Sequence, residues 1–152
     1  DGDVFVNIQG DEPLINPDAI DTLVEQFDKS IGIGNAYVYV NDNYKLHDSN
    51  VVKVVTDLSN NAVYYSRFGI PFHKKEEVPF KQQLGLYAFN RHMLELFVEL
   101  EVGELEKAES VEMLRYIENG FAVKMIEVED HGLSVDTQDD LKRVEEFLNA
   151  VH

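Results

Sequence analysis

The sequence predicts an α/β protein whose sheet is mixed but mostly parallel. A short apolar run at Val4–Ile8 is followed by a polar loop and then by a helix that Asn16 begins. This order of strand, loop and helix is the repeating unit of parallel sheets. The same alternation continues to the C-terminus. With 152 residues the chain has the size of one domain, and we expect residues 1–152 to form one α/β domain.

Composition excludes several classes of function. The chain has 13 Lys and Arg against 29 Asp and Glu, and a formal charge of −16. This balance argues against nucleic acid or an anionic membrane as a partner, because both require clustered cations. There is no cysteine, which excludes disulfides, thiolate nucleophiles and Cys-ligated zinc and fits a reducing cytoplasm. No apolar run approaches the roughly 20 residues that span a bilayer.

The N-terminal half is predicted to alternate between strands and polar segments. Val4–Ile8 is β-branched and aromatic, a pattern typical of a buried strand. Asn16 and Pro17 predict a helix N-cap and first position. Apolar residues at helical spacing follow: Ile20, Leu23, Val24 and Phe27. Further strands are predicted at 36–40, 51–55 and 62–65, the last two as a hairpin, whereas 41–50 is predicted to be a loop.

The C-terminal half is predicted to contain two more strands and three helices. The strands are 84–89 and 122–128, and the helices are 91–100, about 106–119, and a final one that Asp136 and Thr137 begin. Gly120 is predicted to end the second of these helices. The segment 70–77, between the predicted strands 62–65 and 84–89, is predicted to be an exposed polar excursion. One acidic run is predicted to be a solvated surface: Glu99, Glu101, Glu104, Glu106 and Glu109.

Two carboxylates follow predicted strands. Asp11 lies in the loop Gln9–Pro13, and Asp136 lies between a strand and the last helix. The carboxyl ends of parallel strands meet at one edge of the sheet, so the two aspartates could share Mg²⁺, which takes one or two protein carboxylates plus substrate phosphates. The residues alone leave a second interpretation open. In it, Asp11 is a solvated loop acid and Asp136 only favours a helix N-terminus.

Other catalytic motifs are missing from the sequence. The five histidines are scattered, without the spacing of a zinc hydrolase, and there is no nucleophile elbow, Walker loop or dinucleotide fingerprint. The sequence Tyr64-Tyr65-Ser66-Arg67 offers one guanidinium that could bind a phosphate or carboxylate. A structural ion pair is the alternative for Arg67.

Six stretches occur in one order along the chain. The first is Val6-Asn7-Ile8-Gln9-Gly10-Asp11-Glu12-Pro13-Leu14-Ile15. The others are Asn50–Val55, Tyr64–Arg67 with Ile70-Pro71, Leu84–Phe89, a set of residues from Leu105 to Gly120, and Val135–Thr137 with Asp140-Leu141. Together they resemble the 3-deoxy-manno-octulosonate (Kdo) cytidylyltransferases, and the resemblance covers essentially the whole chain.

The resemblance implies a nucleotide-diphospho-sugar transferase (Rossmann-like) fold. It also implies transfer of CMP from CTP to a sugar acid with release of pyrophosphate, and a homodimer with 65–72 near its interface. Asp11 and Asp136 match the two Mg²⁺-binding, catalytic aspartates of the family. Four further residues match positions that line the sugar and nucleotide pocket: Gln9, Arg67, Tyr87 and Glu112.

Two residues depart from the family pattern at positions that hold the sugar acid. Gln83 stands where many Kdo enzymes have His, and Met113 stands where they have Gln. Gln83 cannot carry a positive charge and Met113 has no amide group. Because hydrogen-bonding groups discriminate strongly between analogues, we expect the acceptor to be Kdo or a close relative, such as an amino-substituted 2-keto-3-deoxy sugar acid.

The start of the sequence is also atypical of the family. The chain opens with Asp1-Gly2-Asp3, without Met or a basic leader, and we interpret it as a fragment or a processed chain. The family's first strand and basic phosphate-binding loop have no match, so we expect an incomplete nucleotide-binding segment and weak CTP binding by this chain alone. Two alternatives stay open: a non-catalytic interaction module, and a nucleotidyltransferase for a nonulosonic or phosphonic acid.

Overall fold

A computed structural model describes residues 4–72, 74, 79–129, 135 and 138–151. The strands are β1 Val4–Ile8, β2 Ile33–Val40, β3 Lys53–Thr56, β4 Ala62–Ser66, β5 Phe80–Asn90 and β6 Lys124–Glu127. The helices are α1 Pro17–Glu25, α2 Asn43–His47, α3 Arg91–Phe97, α4 Glu104–Glu109, α5 Met113–Glu118 and α6 Gln138–Val151. Within these ranges no helix is both long and apolar enough to cross a bilayer.

The long strand β5 organises the sheet. The strand order is β4-β3-β5-β2-β6, and β1 also pairs with β5. On one edge β5 pairs with β2 over most of its length. On the other edge it pairs with β3 at Lys81–Gln82 and with β1 at Leu86–Asn90. A short stretch of β5, residues 83–85, therefore lies between the ends of two neighbouring strands.

The prediction of a mostly parallel sheet is wrong. Among the described strands only β2 and β6 form a parallel pair, and the other pairs are antiparallel. The reason is the position of β5, which runs opposite to β1, β2 and β3 and lies between them. The strands β1, β2, β3 and β6 do share one direction. A pattern of strands and helices along the chain does not show which strand is inserted between which others.

Several predicted elements are confirmed and others are corrected. The Asn16 side chain accepts a hydrogen bond from the Asp18 amide at 3.0 Å and caps α1, and the hairpin of β3 and β4 is present. The predicted loop 41–50 contains α2, which the Asp42 side chain caps through the amide of Tyr44 at 2.8 Å. The predicted N-cap of α6 and most of 73–78 lie outside the described residues.

The helix predicted at about 106–119 is two helices. Ser110 has a left-handed backbone (φ 53°) and separates α4 from α5. The Glu118 carboxylate of α5 accepts hydrogen bonds from the first amides of α4, those of Leu105 at 2.9 Å and Glu106 at 3.0 Å. In a continuous helix, residues 106 and 118 would be ~18 Å apart. The break allows α5 to cap α4.

Apolar residues cover both faces of the sheet. Tyr87 and Phe89 of β5 belong to one cluster with residues of α3 and α5, whereas Leu86 and Ala88 belong to a second cluster with residues of α1. Successive strand residues point to opposite faces, so the alternation along β5 separates the two clusters. The sheet is thus the middle layer between helices.

Candidate active site

The loop after β1 is anchored to the stretch of β5 that lies between β1 and β3. The Gln9 amide donates to the Gly85 carbonyl at 2.9 Å, and the Glu12 amide donates to the Gln9 carbonyl at 3.1 Å. The Val135 amide donates to the Asp11 carbonyl at 2.8 Å. The loop with Asp11 therefore contacts the residue that precedes Asp136. Asp136 itself lies outside the described residues.

Gly85 permits the close approach of this loop. A Cβ atom at this position would lie 3.0 Å from Gln9 Cβ and 3.2 Å from Glu12 Cγ, so a larger residue would press on both side chains of the loop. The Gly85 amide faces the Glu12 carboxylate at 3.4 Å. This role was not predicted, although an isolated glycine within a strand pattern indicates a bulge or a close backbone contact.

Tyr87 lies beside the loop. Gln83 determines that the Tyr87 hydroxyl accepts, rather than donates, the hydrogen bond between them. Gln83 Nε2 donates to the Leu84 carbonyl and to the Tyr87 hydroxyl, each at 2.7 Å. Because the carbonyl can only accept, it sets the orientation of the Gln83 amide. The Tyr87 hydroxyl therefore accepts from Gln83, and its own hydrogen remains for another acceptor.

The charges of three carboxylates affect the pKa of Tyr87. Burial raises the pKa of the Tyr87 phenol; the hydrogen bond from Gln83 partly offsets this rise, and the charges of Glu112, Asp11 and Glu12 add to it. The phenol is therefore protonated at neutral pH. Gln9, Asp11 and Glu112 have exposed side chains, so the site combines a buried hydroxyl donor with accessible oxygen acceptors.

The structure brings together five of the residues predicted for the site and places two others elsewhere. Gln9 and Asp11 lie in the loop, Gln83 and Tyr87 lie beside it on β5, and the charge of Glu112 acts on the Tyr87 phenol. Met113 packs in the apolar core and is 3% exposed. The Arg67 guanidinium donates to three backbone carbonyls, those of Glu109 at 2.7 Å, Ser49 at 2.9 Å and Ser110 at 3.3 Å.

A buried cation, Lys53, lies next to the partly exposed Arg67. Lys53 is fully buried and donates to the carbonyls of Asp48, Val51 and Arg67, each at 2.7 Å. Burial lowers the pKa of its ammonium group. The three hydrogen bonds fasten the segment before β3 to the end of β4. The strand-like pattern of 51–55 gave no indication of this role.

Glu109 has a lowered pKa, and we predict a measurable effect of its titration on stability. Its carboxylate accepts from Ser66 Oγ at 2.7 Å, the Arg67 amide at 2.8 Å and the Tyr64 hydroxyl at 3.1 Å. Burial raises the pKa of Glu109, but these hydrogen bonds lower it more, so it lies below the ordinary 4.5. A lowered folded-state pKa means that the stabilisation is complete above the unfolded-state pKa and is lost as pH falls through the folded-state pKa.

The free energy of unfolding should therefore fall less steeply in Glu109→Gln than in the wild type as pH decreases below 4.5. Urea denaturation at a series of pH values measures this slope. Glu99→Gln, at an exposed position of the same acidic run, is the control and should keep the wild-type slope. Equal slopes for Glu109→Gln and the wild type would contradict the prediction.

Known proteins are similar to this chain in sequence and in fold. A sequence model described as cytidylyltransferase matches residues 1–151. The 3-deoxy-manno-octulosonate cytidylyltransferase of Solibacter usitatus (strain Ellin6076) is 41% identical over 152 residues, which are 97% of this chain and 60% of the relative. The enzyme of the same name from Chlorobium limicola is 40% identical over 154 residues, with 97% of this chain and 62% of the relative covered.

Two solved structures extend the comparison. CMP:2-keto-3-deoxy-manno-octonic acid synthetase complexed with CTP superposes with a TM-score of 0.89 at 29% identity, covering 100% of this chain and 64% of that one. The inositol-1-phosphate CTP transferase from T. maritima superposes with a TM-score of 0.61 at 15% identity, covering 98% and 56%, and shares the fold.

The mixed sheet between two helical layers is a fold that this chain shares with nucleotidyltransferases. Within that class, the chain belongs to the cytidylyltransferase family. It spans about 60% of the length of the curated relatives that it matches.

Proposed function

We propose that this protein transfers CMP from CTP to Kdo or a closely related 2-keto-3-deoxy sugar acid and releases pyrophosphate. The observation that carries the proposal is the convergence of the Gln9–Glu12 loop, Tyr87 and the Val135 backbone at the end of β1. The names of the relatives, and the CTP in a solved structure that shares this fold, support the choice of substrates.

In the proposed reaction, the anomeric hydroxyl oxygen of the sugar acid attacks the α-phosphorus of CTP. The bond from that phosphorus to the bridging oxygen breaks, pyrophosphate leaves with the electron pair, and the hydroxyl proton passes to solvent. Little covalent chemistry falls to the protein in such a step, because positioning and charge neutralisation lower the barrier. The Tyr87 hydroxyl would donate to an oxygen of the sugar acid, and the loop anchored on Gly85 would orient Gln9.

The donor chemistry around Asp11 fits Mg²⁺. The Asp11 carboxylate is exposed and supplies the hard oxygen ligand that Mg²⁺ prefers. Within the described residues no three His, Asp or Glu side chains form a metal cluster, and Mg²⁺ between phosphates needs only one or two protein carboxylates. We propose Asp11 and Asp136 as these ligands. When bound, Mg²⁺ would neutralise phosphate charge and lower the pKa of a coordinated hydroxyl.

Gln83 favours an acceptor that carries an N–H donor. Its Nε2 donates to Leu84 and Tyr87, so the atom that it can offer to a substrate is Oε1, an acceptor. An amino substituent on a 2-keto-3-deoxy sugar acid would meet that atom. The apolar packing of Met113 adds no competing polar group. The finer proposal is therefore an amino-substituted relative of Kdo.

Pyrophosphate release from CTP and Mg²⁺ with a panel of sugar acids tests the proposal. The assay is run on residues 1–152 and on the protein extended to the length of its relatives. We expect release that depends on a sugar acid in the extended protein, and the fastest release with an amino-substituted acid. Release no slower with Kdo than with every analogue would overturn the finer proposal. No release with any of these acids from a folded, extended protein would favour an interaction module or a nonulosonic or phosphonic acid as acceptor.

We also propose a homodimer. Phe68 and Phe72 are 80% and 89% exposed, and Tyr44 of α2 is 91% exposed. Gly69 packs against Leu46 of α2, so these aromatic rings belong to neighbouring segments. Their burial between two copies would remove apolar surface from water. This choice of interface agrees with the exposed apolar character of 68–72.

Sedimentation velocity should show a dimer that Phe68→Ser with Phe72→Ser shifts toward monomer. Leu58→Ser, at another fully exposed apolar position, is the matched control and should leave the dimer unchanged. A monomeric wild type, or equal association of both variants, would contradict this proposal.

We further place the reaction in the cytoplasm and its product in lipopolysaccharide or surface-polysaccharide biosynthesis. The chain has no cysteine, which suits a reducing compartment. The Kdo-related names of the relatives support the use of an activated sugar acid. Loss of a CMP-activated sugar acid from cells that lack the gene would test this placement.

A further inference from the structure

The stretch of β5 beside the site is displaced from its neighbour β2. Asn35 of β2 pairs with Tyr87, and Tyr37 pairs with Gln83. One residue of β2 therefore lies opposite three residues of β5, Leu84–Leu86. Such a bulge interrupts the ladder of backbone hydrogen bonds. Because this part of β5 is buried, its carbonyls require other donors.

The Asn35 side chain supplies these donors. It is fully buried, and its Nδ2 donates to the carbonyls of Leu84 and Leu86, each at 3.0 Å. Its Oδ1 accepts from the hydroxyl of the fully buried Tyr65 at 3.0 Å. That hydroxyl also lies 2.9 Å from Met125 Sδ. Both ends of the amide are thus engaged, and its orientation is fixed.

The two carbonyls that Asn35 holds flank Gly85. The Gly85 carbonyl is the acceptor for the Gln9 amide at 2.9 Å, and the Leu84 carbonyl is shared with Gln83, which orients the Tyr87 hydroxyl. One buried amide therefore contacts the backbone segment on which both parts of the site depend.

We propose that Asn35, oriented by Tyr65, is a positioning residue of the site. It holds Leu84–Leu86 in the bulged conformation, so that Gly85 anchors the Gln9–Glu12 loop. The catalytic consequence rests on the proposed function, whereas the positioning itself is a property of this chain. The hydrogen bonds of the Asn35 side chain go to the β5 backbone and to Tyr65, so we expect a weakened Asn35 side-chain amide to release the loop through β5.

Tyr65→Phe tests the proposal, since it removes the hydroxyl that orients Asn35 and keeps the ring. The reporter is the backbone amide of Gln9, whose hydrogen exchange is followed by NMR in the protein at its native length. We expect its protection factor to fall roughly tenfold more than that of the core amides. Tyr116→Phe is the matched control, because Tyr116 is also fully buried and its hydroxyl donates to the Met93 carbonyl at 2.7 Å. That variant should leave Gln9 protection unchanged relative to the core.

Asn35→Asp gives a second readout. A protonated carboxyl at this position can donate to one of the two carbonyls, whereas an ionised one cannot, and burial raises the pKa of a carboxyl. Gln9 protection and pyrophosphate release in Asn35→Asp should therefore recover as pH is lowered, in contrast to the wild type. The facing titratable groups, Tyr65 and Tyr87, have pKa values that burial raises, so they stay neutral.

The outcomes separate the two proposals. Unchanged Gln9 protection in Tyr65→Phe, or the same loss in Tyr116→Phe, would overturn the positioning role. An inactive wild type with reduced Gln9 protection in Tyr65→Phe would overturn the proposed function and leave the positioning role supported. If Asn35→Asp does not fold, the exchange measurement on Tyr65→Phe decides.

Discussion

Asp11→Asn is expected to lower the rate of pyrophosphate release roughly 10²–10³-fold. Under the proposed function, Asp11 binds Mg²⁺ at the triphosphate, and an amide is a much weaker ligand for a hard cation than a carboxylate. The fold should be preserved, because the side chain is exposed and the contact with Val135 is made by the Asp11 backbone carbonyl. The measurement is kcat at saturating CTP across a range of Mg²⁺ concentrations.

Asp21→Asn is the matched control for this substitution. Asp21 is an exposed aspartate of α1, so its replacement removes the same charge at a position outside the loop. Its rate and Mg²⁺ dependence should equal those of the wild type. A wild-type rate for Asp11→Asn, with unchanged Mg²⁺ dependence, would exclude Asp11 as a metal ligand.

Arg115→Met should lower the free energy of unfolding by about 3–5 kcal/mol, the range for breaking a buried ion pair. Arg115 Nη2 and Nε donate to the two carboxylate oxygens of Glu106 at 2.6 Å and 2.7 Å. The two side chains are only 14% and 9% exposed. The guanidinium also lies 3.9 Å from the ring centroid of Phe97. Without it, the Glu106 carboxylate would be buried beside apolar groups with no cation.

Chemical denaturation of Arg115→Met and of Arg91→Met measures this effect. Arg91 pairs with Glu95 at 3.6 Å, and both side chains are 66% exposed, so this substitution should change the stability by less than about 1 kcal/mol. Combining Arg115→Met with Glu106→Gln should destabilise less than Arg115→Met alone, because no charge remains buried. Similar losses of unfolding free energy for Arg115→Met and Arg91→Met would show that burial does not strengthen the ion pair between Arg115 and Glu106.

The acidic run from Glu99 to Glu109 differs from its prediction at two positions. The prediction of a solvated surface is wrong for Glu106, which is buried against Arg115, and for Glu109, whose hydrogen bonds hold the end of β4. A charge pattern indicates an exposed face on average. Which charge finds a buried partner depends on how α4 and α5 pack, and that packing follows from the break at Ser110.

The candidate site likewise contains residues that were named from the sequence and residues that were missed. Asp11 was singled out by its position after a strand, and Gln9 and Tyr87 were assigned to the site through the resemblance to the family. Asn35 and Gly85 were missed, since each acts on a segment distant in sequence: Asn35 on the carbonyls of β5, and Gly85 on the loop after β1. The roles of Gln9, Asp11, Tyr87 and Asp136 stay predictions.

The sequence by itself determined most elements, the N-cap of α1, the position of Asp11 after the first strand and the family. These depend on residues that are close in the chain, where periodicity, capping and motif spacing act directly. Only the tertiary structure decided that β5 lies antiparallel between β1, β2 and β3, that it bulges opposite Ala36, and that a buried asparagine holds the bulge. Strand neighbours and buried hydrogen bonds join residues far apart in sequence, and their energies depend on the whole packed arrangement rather than on any local segment.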